Sequence, residues 1–206
     1  MCERLNMKKL NLLALAITTT IFSFAQSPAK FGVKGGVNIS TINWENGTEG
    51  DSRIGLHVGG LAHIHLSPQW ALQPEVYYSS EGGKMPVSSN EEVTWKNDYV
   101  NIPLLVQYNF DNGFRLQAGP QLGLLVSSKV EDQDDAEDDA DEIFKSTNVG
   151  LSFGLGYLTY SGFGIDGRYN LGLNRITESS IQEAQGRSFQ IGVFYLFDNS
   201  HKAKSR

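Results

Sequence analysis

Three histidines, one acidic run and a scatter of charges are the residues that could do chemistry. His57, His63 and His65 differ by even numbers of residues, so on a β-strand all three point to one face. Imidazoles on one face are candidate metal ligands or a general base. No acidic or cysteine ligand is placed beside them by sequence, so a metal site there is a weak expectation. The stretch Glu131–Glu142, EDQDDAEDDADE, holds nine carboxylates in twelve residues. Its first expectation is a solvated, self-repelling loop. Its second is loose Ca²⁺ or Mg²⁺ binding through Asp134, Asp135, Asp138 and Asp139, bridging to lipopolysaccharide phosphates, because hard cations take clustered oxygens. The spacing is not that of an EF-hand. Lys34, Arg53, Arg115 and Arg168, with Glu75, Glu81 and Asp166, matter only if the fold gathers them. No phosphate-binding glycine loop, nucleotide motif or catalytic triad is visible. Neither catalytic residues nor a cofactor are expected.

What positions these groups follows from the whole chain. Its 206 residues suit one domain. They contain 22 glycines, 11% aromatic and only 19% charged residues, which favours many strands over helices. Met7-Lys8-Lys9, the apolar stretch Leu10–Phe24 and the small-x-small step Ser23-Phe24-Ala25 read as a secretory signal. Residues 1–25 are thus expected to be removed, with Met7 an alternative start. The one cysteine, Cys2, lies inside that segment. The mature chain is therefore expected to form no disulfide and to carry no lipid-bearing or catalytic thiol. Three of the 17 basic and one of the 23 acidic residues fall in the signal, leaving a formal charge of about −8. That argues against nucleic acid as a partner. After the signal no apolar run is long enough for a helical span of ~20 residues.

Eight segments alternate apolar and polar residues: Phe31–Ile42, Arg53–Leu66, Ala71–Lys84, Asp98–Phe110, Phe114–Val126, Ser146–Tyr160, Phe163–Arg175 and Arg187–Phe197. Most reach the ~9–11 residues of a membrane-spanning strand. The connections Asn43–Ser52, Met85–Asn97, Ser127–Lys145 and Ile176–Gly186 are long. Those at Ser67–Gln69, Asp111–Gly113 and Ser161–Gly162 are short. Strict alternation places every long loop at one end, as in outer-membrane barrels.

The faces decide which solvent the apolar side meets. Ile102, Leu104, Val106, Leu116, Leu122, Leu155 and Ile191 share one face. The other carries Asn101, Gln107, Gln117, Gln121, Ser152, Gln190 and several glycines, with few lysines and glutamates. An enclosed lumen suits small and amide side chains better than a water-facing sheet does. Phe31, Trp70, Tyr108, Phe110, Phe114, Tyr157, Tyr160, Phe163, Tyr195 and Phe197 sit beside the termini or short turns, as a girdle at headgroup depth would. Trp44, Tyr78, Trp95 and Tyr99 are candidates for the opposite girdle. The expected fold is an all-β, eight-stranded antiparallel up-and-down transmembrane barrel over residues 26–197, followed by a polar tail, 198–206.

The segments FGVKGGVNIS, YVNIPLLVQYNF and GPQLGLLV resemble the PorT-like outer-membrane β-barrel family of Bacteroidetes-type bacteria. The resemblance runs from about Phe31 to Phe197 and implies a bacterial outer-membrane location. The nine residues after Phe197 depart from barrels that end on an aromatic. In an eight-stranded barrel the interior is just filled by side chains, so the seven charges named above are expected to form a plug of ion pairs. The expected role is structural, adhesive or accessory to secretion, without catalysis. The alternatives are a lipid-modifying barrel enzyme or a soluble periplasmic ligand-binding barrel. Expected partners are outer-membrane lipid and lipopolysaccharide, the barrel-assembly machinery, and secretion or envelope proteins, with the barrel itself a monomer.

Overall fold

The computed structural model describes residues 29–44, 51–88, 91–131, 137–139, 146–174 and 184–197. They form β1 (Lys30–Trp44), β2 (Asp51–His65), β3 (Trp70–Ser88), β4 (Glu91–Asn109), β5 (Phe114–Glu131), β6 (Glu137–Asp139), β7 (Thr147–Leu158), β8 (Phe163–Gly172) and β9 (Ala184–Leu196). Eight of these close into an antiparallel up-and-down barrel, with β5 followed by β7 in the wall. The closing seam joins β1 to β9 from Gly32↔Leu196 to Trp44↔Ala184. Closure removes the free strand edges that hydrocarbon would not tolerate. The three-residue β6 only extends the outer end of β5, pairing with Lys129, Val130 and Glu131.

The tight turns share one chemistry. In Phe110–Phe114 and Thr159–Phe163 the first N–H donates to the fifth carbonyl, at 2.8 Å in both. The fourth residue, a glycine, donates back to the first carbonyl at 3.0 and 3.1 Å. Gly113 and Gly162 hold φ of 88° and 86°, where a side chain would be strained. At Ser67-Pro68-Gln69 the Leu66 N–H donates to the Trp70 carbonyl at 2.8 Å. The Trp70 N–H donates to Ser67 Oγ at 3.1 Å.

At the other end the strands run further than their polarity predicts. Met85–Asn97, expected as a long loop, is mostly ladder, with Met85↔Val93 and Gly83↔Trp95 paired between β3 and β4. The expected loop Ser127–Lys145 begins late for the same reason, since Lys96↔Lys129 and Thr94↔Glu131 pair β4 with β5. Polar runs that interrupt the alternation read as loop in sequence, yet a sheet standing in water needs no continuous apolar face. β3 and β4 span 19 residues each and β5 spans 18, against 10 in β8. The short turns sit together, so the excess length rises at the long-loop end.

Side chains follow the strand period of two. Leu104, Leu116, Leu122, Leu155, Ile165 and Ile191 are exposed on the outer surface, while Gln73, Gln107, Gln117, Gln190 and Asn38 are buried inside. This polarity is the inverse of a water-soluble protein's. Phe31, Trp70, Phe110, Tyr157, Phe163, Tyr195 and Phe197 are also exposed. Register pairs Trp70 with Tyr108, Phe114 with Tyr157 and Phe163 with Tyr195, so the aromatics gather along the short-turn rim. Neighbouring rings touch edge to face, with centroids 5.1 Å apart for Trp70–Tyr108 and 4.9 Å for Tyr108–Phe110. Of the opposite set, Tyr78 faces outward, Trp95 is half-buried, and the Trp44 side chain lies outside the described residues. Tyr99 is not a girdle residue. It is 3% exposed because it shares the inward parity of Asn101 and Gln107.

Candidate functional site in the barrel lumen

The inward face concentrates the chain's buried charge. Lys34 on β1, Glu75 on β3, and Asp166 and Arg168 on β8 project to the middle of the lumen. Arg168 forks onto Glu75, with Nη1 2.8 Å from Oε2 and Nη2 2.9 Å from Oε1. Its Nη2 also donates to Asp166 Oδ2 at 3.1 Å. Lys34 Nζ donates to Glu75 Oε2 at 3.1 Å and stands 3.9 Å from Asp166 Oδ2. Gln73 and Gln117 donate to the two carboxylates at 2.7 and 3.4 Å. Two cations thus face two carboxylates, and one oxygen of each carboxylate also accepts from an amide. A buried charge is tolerated only when paired and hydrogen-bonded in this way.

Large neighbours complete the plug. The Lys34 ammonium lies 4.7 Å from the centroid of the Tyr77 ring. The Tyr77 hydroxyl crosses the lumen to donate to Gln121 Oε1 at 3.1 Å. Gly59 on β2 makes this possible, since a Cβ there would collide with Tyr77. Glu75 and Arg168 are 2% and 1% exposed, so the centre is filled. The arrangement locks strands together across the barrel; its charges are already compensated by one another.

The seven charges anticipated as one plug divide into separate groups. Arg53 does not pair with the Glu81 carboxylate. It donates to the Glu81 main-chain carbonyl at 2.6 Å and to Ser80 Oγ at 3.2 Å, whereas Glu81 Oε1 accepts from Ser79 and Asn101 at 2.8 and 3.0 Å. Arg115 joins no carboxylate among the described residues either. Its guanidinium lies 4.0 Å over the Phe194 ring, beside an apolar cluster of Leu61, Phe194 and Leu196 with Leu158 packed on it. Tyr77, Leu105, Phe194 and Leu196 were not anticipated as lumenal, although their parity marks them so. Leucines and rings on a mostly amide face draw attention outward.

The three histidines all face inward. His57 Nδ1 is 2.7 Å from Asn38 Oδ1, and His63 Nδ1 is 3.3 Å from Gln73 Oε1. The His63 and His65 rings meet edge to face at 4.6 Å. They line a vestibule of about 300 Å³ at the short-turn rim, with Lys30, Asn109, Asp111 and Leu196. Of the candidate cation ligands, Asp134 and Asp135 lie outside the described residues, as do the expected signal and tail. Asp138 and Asp139 fall on β6, but their side chains lie outside the described residues.

The exposed apolar belt, the aromatic rim and the sorted turns point together to a membrane-spanning barrel. A solved structure shares that architecture, and others are similar at lower TM-scores. Neisserial surface protein A is 17% identical, with a TM-score of 0.52, over 82% of this chain and 99% of that one. Ail, the attachment invasion locus protein of Yersinia pestis, is 14% identical (TM-score 0.49; 82% and 99% covered). OprG of Pseudomonas aeruginosa is 14% identical (TM-score 0.42; 83% and 97%). Among curated proteins no sequence match is found. The sequence profile of the outer membrane protein beta-barrel domain matches residues 24–178. The chain belongs to that outer-membrane β-barrel family, and its location is the bacterial outer membrane.

Proposed function

We propose that the protein is a non-catalytic barrel of structural, adhesive or secretion-accessory type, acting through its surfaces rather than through a pore. The observation that carries this reading is the compensated quartet of Lys34, Glu75, Asp166 and Arg168, which fills the lumen where an open channel would need water. The tall β3–β4–β5 wall at the long-loop end supplies the surface for an adhesive or accessory role. PorT-like kinship, export by residues 1–25, a monomeric barrel, and contacts with lipopolysaccharide, the assembly machinery and envelope partners belong to the same proposal. The test is electrical. Reconstituted into a planar bilayer, the wild-type barrel is expected to show no steady ion conductance. A stable, reproducible channel current would contradict the plugged-lumen reading.

A further inference from the structure

We infer that the long-loop end of the lumen holds one hard cation, Na⁺ or Ca²⁺, with the Glu81 carboxylate as its counter-charge. The lumenal carboxylates Glu75 and Asp166 are matched by Lys34 and Arg168. Glu81 is matched by no cation among the described residues. Its two hydrogen bonds, from Ser79 Oγ at 2.8 Å and Asn101 Nδ2 at 3.0 Å, both end on Oε1. That leaves Oε2 without a partner among the described residues. The Arg53 guanidinium is taken up by the Glu81 main-chain carbonyl and Ser80 Oγ. A half-buried carboxylate with no cation of its own calls for one from outside the chain.

The space beside it fits a bare ion. Glu81, Asn148 and Gly186 all line two adjoining cavities at this end of the lumen. Each has a volume of about 10 Å³, room for about one water-sized occupant and none for an organic ligand, which takes ~300 Å³ or more. Asn148 Oδ1 is a buried acceptor without a partner among the described residues. A Cβ on Gly172, which lines the first cavity, would stand 2.8 Å from the Gly186 carbonyl oxygen and 3.5 Å from Asn148 Oδ1. Glycine there leaves a gap between two oxygens. A carboxylate, an amide oxygen and a main-chain carbonyl are a ligand set for a hard cation. Among the described residues no histidine or second carboxylate lines either cavity, which disfavours a transition metal. Mg²⁺ is disfavoured because it keeps several waters, for which the cavities have no room. Arg187 lines the second cavity but is exposed, and no ion pair joins it to Glu81 among the described residues.

The probes are CaCl₂ and NaCl. The full-length mature barrel is refolded in a non-ionic detergent without lipopolysaccharide and freed of divalent ions with EDTA. Each salt is titrated at pH 7 and constant ionic strength against N-methylglucamine chloride, whose cation is too large for the cavities. The readout is the midpoint of thermal unfolding in a fixed concentration of urea, followed by circular dichroism. At least one salt is expected to raise the midpoint saturably in wild type. Glu81→Gln is expected to weaken the apparent affinity by roughly tenfold or more. Replacing Asp134, Asp135, Asp138 and Asp139 together by asparagine is expected to leave it unchanged, which separates the lumen from the acidic run. A response to Ca²⁺ alone assigns a divalent ion, and a response to Na⁺ assigns a monovalent one. Should Glu81→Gln fail to fold, the ¹³Cδ resonance of Glu81 in the wild-type barrel is followed instead, and a saturable shift with either salt supports the site. No response of wild type to either salt, an equal response in Glu81→Gln, loss of the response in the asparagine variant, or a Glu81 resonance that neither salt moves would overturn the inference.

Discussion

Arg168 and Arg115 are the same side chain in two parts of one lumen. Arg168 sits in the quartet with a bidentate carboxylate at 2.8 and 2.9 Å. Arg115 lies toward the short-turn rim, over an aromatic ring, with no hydrogen-bond partner among the described residues. Both are fully buried. The difference shows that burial alone does not say what a charge does. In the quartet the cations hold β1, β3 and β8 together. Toward the rim the cation lies against the Phe194 ring and ties no strands together through carboxylates.

The largest expected effect tests the quartet. Arg168→Met strips Glu75 of its fork and leaves two carboxylates on Lys34. Breaking a buried pair by removing one partner costs about 3–5 kcal/mol, which urea unfolding of the refolded barrel measures. A loss under about 1 kcal/mol would mean that solvent reaches the quartet. The next effect places a positive charge in a third environment. Leu122→Arg puts a guanidinium on the lipid face at mid-strand, at a cost of about 2–4 kcal/mol, seen in folding yield and stability in vesicles. An unimpaired variant would place Leu122 in water. Arg115→Met sharpens the comparison from the other side. It is expected to stay within about 1 kcal/mol of wild type, since replacing a buried charge without a carboxylate partner by a hydrophobe removes its desolvation cost. A loss equal to that of Arg168→Met would erase the distinction between the two arginines. The smallest effect is at the long-loop end. Deleting Glu131–Glu142 removes β6, the carboxylate run and the last residue of β5 with its exposed-end ion pair to Lys96, and loop closure depends only weakly on length. Barrel stability should change by less than about 0.6 kcal/mol. If the run binds Ca²⁺, calcium protects it from an external protease in wild type; loss of folding would show it to be structural.

Much of this is legible in the sequence because the strand period is two. Once Leu104, Leu116 and Leu122 share a face, Gln107, Gln117 and Gln121 must share the other, whatever the solvent. The short turns are equally legible, since Asn112-Gly113 and Ser161-Gly162 supply the glycine that the bend requires. Charge pairing is not legible. Whether Arg53, Arg115 or Arg168 meets a carboxylate depends on register accumulated around eight strands, which no single strand encodes. The Met85–Asn97 hairpin is hidden for a different reason: Met85, Val87, Val93 and Trp95 share one parity, but Pro86 and the polar run Ser88–Glu92 interrupt the alternation that marks a strand. Tyr99 is misread because an aromatic near a strand end suggests a girdle, yet its parity turns it inward.

The central claim is a closed barrel whose apolar face lies in lipid. Outer-membrane fractions of cells producing the protein, run in detergent sample buffer with and without boiling, test it most directly. Closure leaves no edge from which detergent can unravel the wall, so the unboiled protein should migrate as a distinct folded band that boiling converts to the unfolded one. Identical mobility in both lanes, with the protein recovered in the soluble periplasm, would contradict the account.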